Sequence, residues 1–133
     1  IPSMAASLTS FDYESDCRPA ARYAAEIARR MHWPSLPSGT LLNVNVPAIP
    51  EADIRGIKIT TQGAGLWNDT YQRRSDPMGR DYFWLAGTYV PAKGETDTDD
   101  AALRDGYVSV TPIRYQLTDN SVIETISALV CPE

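Results

Sequence analysis

Three arginines near the middle of the chain have the side chains best suited to bind an anion. Arg73, Arg74 and Arg80 fall within the segment RRSDPMGRDYFW at residues 73–84. A guanidinium presents a fork of N–H donors that matches phosphate oxygens, which makes these arginines candidate substrate-binding residues. Three aspartates lie close by in sequence, at Asp69, Asp76 and Asp81. Ion pairs with these aspartates, within the segment or across an interface, are the interpretation that the pattern favours.

Aromatic side chains are interleaved with these arginines. Tyr71, Tyr82 and Trp84 have flat faces on which a nucleobase can stack. The same residue types are enriched at protein–protein interfaces. We favour the interface, and we predict that these three side chains contact another subunit.

Two groups of carboxylates are candidates for a cation site. Asp99 and Asp100 are adjacent, and hard cations prefer clustered carboxylate oxygens. This pair opens a predicted short helix, however, where acids stabilise the first turn without any metal. The alternating acids at residues 12, 14 and 16 also precede a helix, and neither group has the spacing of an EF-hand loop.

Other catalytic motifs are missing from the sequence. His32 is the single histidine, and its place at the end of a predicted helix favours a helix-end cation over a catalytic base. Without a second histidine, a histidine-rich zinc site is excluded. Gly63-Ala64-Gly65 is too short to be a phosphate-binding loop. Ser109 and Thr111 have no evident histidine partner, which disfavours a serine nucleophile.

Composition limits the class of protein. The chain has 133 residues, 43 % hydrophobic and 22 % charged, which suits one globular domain or part of one. Its net charge of −5 argues against binding a nucleic-acid polymer. No apolar run is long enough to span a bilayer, so no membrane partner is expected. With only Cys17 and Cys131, the composition favours reduced thiols and a cytoplasmic protein, although one disulfide between them stays open.

Strands and helices alternate in the first half of the chain. Residues 3–8 are small and apolar, which predicts a strand covered on both faces. Tyr23, Ile27 and Met31 lie on one stripe of a predicted helix that Pro34 ends. The segment LLNVNVP at residues 41–47 alternates apolar and polar residues, as a strand with one apolar face does. Ile57, Ile59 and Thr61 repeat this alternation in a second predicted strand.

The second half is mixed. Asp76-Pro77-Met78-Gly79 is a strong turn sequence, and its flanks, residues 70–74 and 82–85, are expected to pair as a hairpin. A short helix is predicted to begin within residues 96–100 and to end at Gly106. A strand at residues 107–111 is expected to stop at Pro112. A last helix, capped within residues 119–121, completes an α/β domain edge with an antiparallel excursion.

Several motifs in this order resemble the downstream half of the SurE family of survival-protein nucleotide phosphatases. They are the start IPS at residues 1–3, LLNVNVP at 41–47, the arginine and aromatic segment at 73–84, and GYVSVTP at 106–112. The last of these is the most specific. The resemblance covers most of the chain.

The resemblance implies a fold and a domain organisation. Family members have a Rossmann-like α/β core of three layers, a protruding β-hairpin arm and C-terminal elements that build dimers and tetramers. Residues 1–133 would be the C-terminal part of one such domain, with the catalytic N-terminal half absent and the arm at roughly residues 62–90. The chain begins without Met at what looks like a buried strand, which also suggests a fragment.

The resemblance also implies a reaction. Family members are metal-dependent phosphatases that act on nucleoside 5′- and 3′-monophosphates and use Mn²⁺ or Mg²⁺. Their metal ligands are an adjacent Asp pair, a Ser and an Asn, all upstream of the region matched here. We therefore expect no catalytic or metal-binding residue in this chain, a role in scaffold and oligomer formation, and no activity of the chain alone. The alternative is a non-catalytic oligomerisation module derived from the family.

Overall fold

The computed structural model describes residues 3–131 and contains one sheet with helices and a separate hairpin. In chain order the elements are β1 (Ser3–Leu8), α1 (Arg18–Arg30), β2 (Thr40–Val46), β3 (Ile57–Ile59), β4 (Leu66–Ser75), β5 (Asp81–Val90), α2 (Asp99–Arg104), β6 (Val108–Arg114) and α3 (Ile123–Val130). The sheet has the strand order β1-β2-β6-β3, with β2 antiparallel to β6 and the other neighbours parallel. The α/β class predicted from the sequence is confirmed.

The core lies between α1 and one face of the sheet. Tyr23 and Ile27, on the predicted stripe of α1, are buried against Val44 and Val46 of β2 and Val108 of β6. The polar residues that alternate with these valines on β2 point away from that cluster. Both the helical stripe and the alternation of β2 are thereby confirmed.

β1 differs from its prediction. It pairs in parallel with β2 and forms the outer strand of the sheet that residues 3–131 build. Only Met4 and Leu8 are half-buried, while Ser3, Ala5 and Ala6 are exposed. The expectation that both faces of β1 are covered is wrong for the described residues. No strand or helix among them covers the face of β1 that carries Ser3 and Ala5.

The bounds of β3 and β6 also differ from those predicted from the sequence. β3 ends at Ile59, which is largely exposed, so Thr61 makes only an isolated bridge to Thr98. β6 continues through Pro112, which pairs with Leu42 of β2, instead of stopping there.

The position of Pro112 in the ladder explains why the strand continues. The carbonyl of Val110 accepts from the Thr60 N–H at 3.0 Å, so the backbone of Val110 faces the β3 side. Pro112, two residues further, faces the same side, where β3 has already ended. The missing N–H of Pro112 therefore costs the sheet no hydrogen bond.

The predicted hairpin is confirmed and is longer than expected. β4 and β5 pair in antiparallel register from Leu66 opposite Val90 to Ser75 opposite Asp81. At the turn, the Gly79 N–H donates to the Asp76 carbonyl at 3.0 Å, as the turn sequence predicted. The first helical turn of α2 is capped by Thr98, whose Oγ1 accepts from the Ala101 N–H, and Gly106 follows the helix with φ of 79°.

Two further expectations can be compared with the described residues. Cys17 and Cys131 are free thiols on the surface. None of the helices within residues 3–131 has both the length and the apolar character needed to cross a bilayer.

Candidate functional site

The carboxyl ends of the two parallel strands meet at one edge of the sheet. β1 ends at Leu8 and β2 ends at Val46, which are partners in the register. The Thr9 N–H donates to the Val46 carbonyl at 2.9 Å, and Thr9 Oγ1 accepts from the Ala48 N–H at 3.1 Å. Ligands of open α/β sheets bind beyond the carboxyl ends of such strands, so this edge is where a site is expected.

A polar cluster connects the base of the hairpin to α2. Asp99 Oδ1 accepts from the Gly63 N–H at 2.8 Å and from the Asp100 N–H at 2.9 Å. The Tyr89 hydroxyl, near the end of β5, donates to Asp100 Oδ2. The two acids thus hold both strands of the hairpin at their base, one through the loop before β4 and the other through β5.

Two glycines allow this close contact. A Cβ atom at Gly63 would lie 2.8 Å from Asp100 Oδ2, and one at Gly65 would overlap the Tyr89 ring. Any larger residue would push the loop away from α2 or displace Tyr89. Glycine at these two positions therefore lets the backbone run directly against the side chains of Tyr89 and Asp100.

A cavity of about 520 Å³ separates the sheet edge from this polar cluster. Its lining combines polar groups from the strand ends with one aromatic ring from the loop after β1 and two from the hairpin base. Residues that line it include Ser7, Phe11, Asn45, Trp67, Tyr89 and Asp100. The volume is within the roughly 300–1,000 Å³ of sites that bind small molecules, so the cavity is the candidate functional site.

The three predicted anion-binding arginines lie elsewhere, around the far end of the hairpin. Arg73 pairs with Asp81, and Arg80 Nε lies 2.9 Å from Asp76 Oδ2. Arg74 makes no ion pair with any residue within 3–131, and its Cζ lies 5.6 Å from the centre of the Trp84 ring. None of these arginines lines the cavity in the part of the chain that the structure describes.

These ion pairs shift the acidity of the two aspartates. The side-chain hydrogen bond from Arg73, and then that from Ser75, lowers the pKa of Asp81. The Arg80 backbone N–H, followed by its guanidinium, lowers the pKa of Asp76. Both carboxylates are thus stabilised in their charged form by neighbours within the hairpin. Asp69, the third predicted partner, makes no ion pair with the described residues.

The three predicted interface aromatics do not share one face of the hairpin. Tyr82 and Trp84 lie opposite Arg74 and Gln72, so these four side chains project to one face. Tyr71 lies opposite Leu85 and projects to the other. All three aromatic side chains are exposed. The single interface proposed from sequence therefore divides into two surfaces.

The remaining candidates from the sequence have structural partners. The Ser109 and Thr111 hydroxyls are buried and share hydrogen bonds with Thr60 Oγ1 at 2.9 and 2.7 Å. His32 Nδ1 lies 2.7 Å from Ser35 Oγ, just past the end of α1. Hydrogen bonds within the fold therefore explain the positions of the three hydroxyls and the imidazole, and none of these groups needs a catalytic role.

The acids do not form a cation site within residues 3–131. No group of three or more His, Cys, Asp or Glu side chains is placed to hold a metal ion in that part of the chain. The Asp99 oxygen nearest the loop is occupied by two N–H donors, and Asp100 accepts from Tyr89. Asp16 pairs with Arg18, whose side-chain hydrogen bond lowers the pKa of Asp16 to about 2.

Comparisons with known proteins connect this fold to one family. The family model "Survival protein SurE" matches residues 1–69. The chain is 42 % identical to 5′-nucleotidase SurE of Natranaerobius thermophilus and 37 % identical to that of Christiangramia forsetii, in each case over 96 % of this chain and 49 % of the relative. The chain thus spans about half the length of the curated relatives it matches.

A solved structure gives the same result. The SurE protein from Aquifex aeolicus superposes with a TM-score of 0.78 at 32 % identity, over 97 % of this chain and 52 % of that protein. Because the family model matches more than half of the residues of this chain, the chain belongs to the SurE family.

Proposed function

We propose that this chain is part of a metal-dependent phosphatase that hydrolyses nucleoside 5′- and 3′-monophosphates. The observation that carries the proposal is the cavity at the carboxyl edge of β1 and β2, in a chain whose relatives bear the name 5′-nucleotidase SurE. In this proposal residues 1–133 form the C-terminal part of a single domain, with an arm at roughly 62–90. The chain supplies scaffold, one wall of the substrate site and surfaces for oligomer formation.

The divalent cation of this proposal, Mn²⁺ or Mg²⁺, takes its ligands from polypeptide other than residues 3–131. The acids described above do not fit a metal, because no three such side chains converge within residues 3–131, and Asp99 Oδ1 and Asp100 Oδ2 are already engaged by N–H and O–H donors. The role of this chain in the reaction is therefore to bind and orient the substrate. The free thiols of Cys17 and Cys131 support a cytoplasmic location for the enzyme.

Exposed apolar surface supports an oligomer, a homodimer or a homotetramer. Both faces of the hairpin carry exposed aromatic rings, and the apolar stripe of α3 is open to solvent. That stripe comprises Val122, Ile123, Ile126, Leu129 and Val130. Apolar patches of this kind on a folded chain usually mark interaction surfaces. Arg74, which has no ion-pair partner within residues 3–131, is the arginine of the arm best placed to contact a substrate in a neighbouring subunit.

The test compares two proteins. The product of the complete gene and the 133-residue chain alone are incubated with a nucleoside monophosphate and Mn²⁺, and released phosphate is measured with and without a chelator. We expect chelator-sensitive hydrolysis by the complete product and none by the isolated chain. Robust Mn²⁺-dependent hydrolysis by the isolated chain would refute the division of roles proposed here.

The exposed arm and α3 also favour a second candidate, a non-catalytic oligomerisation module of the same family. Native mass spectrometry of the protein from its source separates the two. A subunit mass near 14.7 kDa, with no hydrolysis of any nucleoside monophosphate, would support the module. A longer subunit with metal-dependent activity would support the enzyme.

A further inference from the structure

We propose that Phe11 and Trp67 hold the nucleobase of the substrate between them and so favour phosphate esters that carry a base. This inference rests on the proposed function, because it assigns a role within the same cavity. It concerns residues that the sequence did not single out.

Phe11 stands free on an ordered loop. Its side chain is 99 % exposed, although it lies only three residues beyond the end of β1 and lines the cavity. The loop is held by local hydrogen bonds: Ser10 Oγ lies 2.7 Å from Ser15 Oγ and accepts from the Asp12 N–H at 3.1 Å. A large apolar ring presented to solvent at the rim of a cavity is placed to gain free energy when a flat ligand covers it.

Trp67 enters the same cavity from the hairpin. It is more than half exposed, and its ring packs at a tilt against Tyr89, with 5.8 Å between the ring centres. Tyr89 is in turn fixed by its hydrogen bond to Asp100. The indole is therefore supported on one side by protein and open on the other, as a stacking platform requires.

The floor of the cavity has groups suited to a sugar. Ser7 and Asn45 pair one residue before the ends of β1 and β2, and both line the cavity. Among the side-chain hydrogen bonds within residues 3–131, neither the Ser7 hydroxyl nor the Asn45 amide has a partner, and no buried side-chain polar atom there is left unsatisfied. These two groups are consequently exposed to solvent in the cavity and free to bind ribose hydroxyls.

The charge of the lining decides which end of the nucleotide enters. Among the described residues that line the cavity, Asp100 is charged and none is a lysine or an arginine. A phosphate group would be repelled from such a cavity, whereas a neutral base and sugar would not. The nucleoside end is therefore assigned to the cavity, and the phosphate lies outside it.

The experiment uses the product of the complete gene and two substrates. AMP carries a base, and ribose 5-phosphate is a phosphate ester without one. Stacking of a base on an aromatic ring is worth about 1–3 kcal/mol, or about fivefold or more in binding. We expect Phe11→Ala and Trp67→Ala each to raise KM for AMP by at least about fivefold and KM for ribose 5-phosphate by less than about twofold.

Tyr13→Ala is the matched control. Tyr13 is a fully exposed aromatic residue of the same loop, two positions from Phe11, and it does not line the cavity within the described chain. We expect KM for both substrates to remain unchanged in this variant. Equal rises for both substrates in Phe11→Ala, or no rise for AMP in either cavity variant, would overturn the proposal.

A binding measurement separates this inference from the proposed function. Adenosine alone is titrated into the protein, and tryptophan fluorescence is followed in the parent and in Trp67→Phe. We expect quenching in the parent that is largely lost in the variant. Should the protein bind adenosine in this way but hydrolyse no phosphate ester, the proposed function fails and the base site stands. Two results would refute the base site. One is a parent protein that hydrolyses AMP but shows no quenching of tryptophan fluorescence by adenosine. The other is a Phe11→Ala variant in which the sedimentation coefficient changes and KM for AMP does not.

Discussion

The sheet with α1 and the hairpin arm both contain many apolar residues but use them in opposite ways. In the sheet, Val44, Val46 and Val108 are fully buried beneath α1. In the arm, Phe83, Trp84 and their neighbours are exposed on both faces. The sheet thus has a packed core on its α1 face, whereas the arm has a ladder of hydrogen bonds and little packing. An isolated two-stranded hairpin is marginal in water, so the arm requires a covering surface to be stable.

This contrast separates folding residues from assembly residues. A side chain that contributes to the core should affect the stability of the monomer, whatever the protein concentration. A side chain of the arm should affect association and leave the monomer nearly unchanged. The following predictions test this division, starting from the largest expected effect.

Replacing Ile27 by Ala should destabilise the fold most. Ile27 of α1 is buried in the core, and removal of a buried isoleucine side chain leaves a cavity. We expect the free energy of unfolding to fall by about 2–5 kcal/mol in urea denaturation. The matched control is Ile126→Ala, which makes the same change on exposed α3 and should cost about 0.5 kcal/mol or less at concentrations where subunits are dissociated. Equal losses in the two variants would contradict the division.

The double substitution Tyr82→Ala and Trp84→Ala should weaken assembly. These rings share one face of the arm, and truncating an aromatic hot spot at an interface costs about 2 kcal/mol or more. We expect the dissociation constant of the oligomer, measured by sedimentation, to rise at least about thirtyfold with little change in unfolding at low concentration. Tyr71→Ala on the opposite face identifies the docking surface. An unchanged oligomer in all of these variants would show that the arm does not carry the interface.

Acid should loosen the tip of the arm, with the smallest effect of the three. The pKa of Asp81 is lowered by Arg73 and that of Asp76 by Arg80, so the folded tip binds fewer protons than the unfolded chain. The contribution of these pairs is fully present above the ordinary aspartate pKa of about 3.9 and is lost as pH falls through the lowered values. Carboxyl NMR titration should give both aspartates pKa values below the ordinary aspartate value of about 3.9. In Arg73→Gln the pKa of Asp81 should move back towards the ordinary value, and an unchanged titration would contradict the pairing.

Local patterns in the sequence were sufficient for most of the elements. Three predictions depend only on residues close to one another in sequence, and each is confirmed. They are the apolar stripe of α1, the alternation of apolar and polar residues in β2, and the Asp76–Gly79 turn. The errors concern partners distant in sequence. Pro112 continues β6 because β3 ends early, and β1 is exposed because it is the outer strand of the described sheet. No local pattern encodes where a neighbouring strand stops.

The sequence by itself determined the family, the α/β class and the presence of a hairpin rich in arginine and aromatic residues. The tertiary structure decided that Gly63 meets Asp99 across 36 positions of chain, and that Trp67 and Phe11 border one cavity. Periodicity reports which face of an element is apolar, because that depends on near neighbours along the chain. Contacts between distant loops leave no such pattern, since they are fixed only when the sheet brings the carboxyl ends of its strands to one edge.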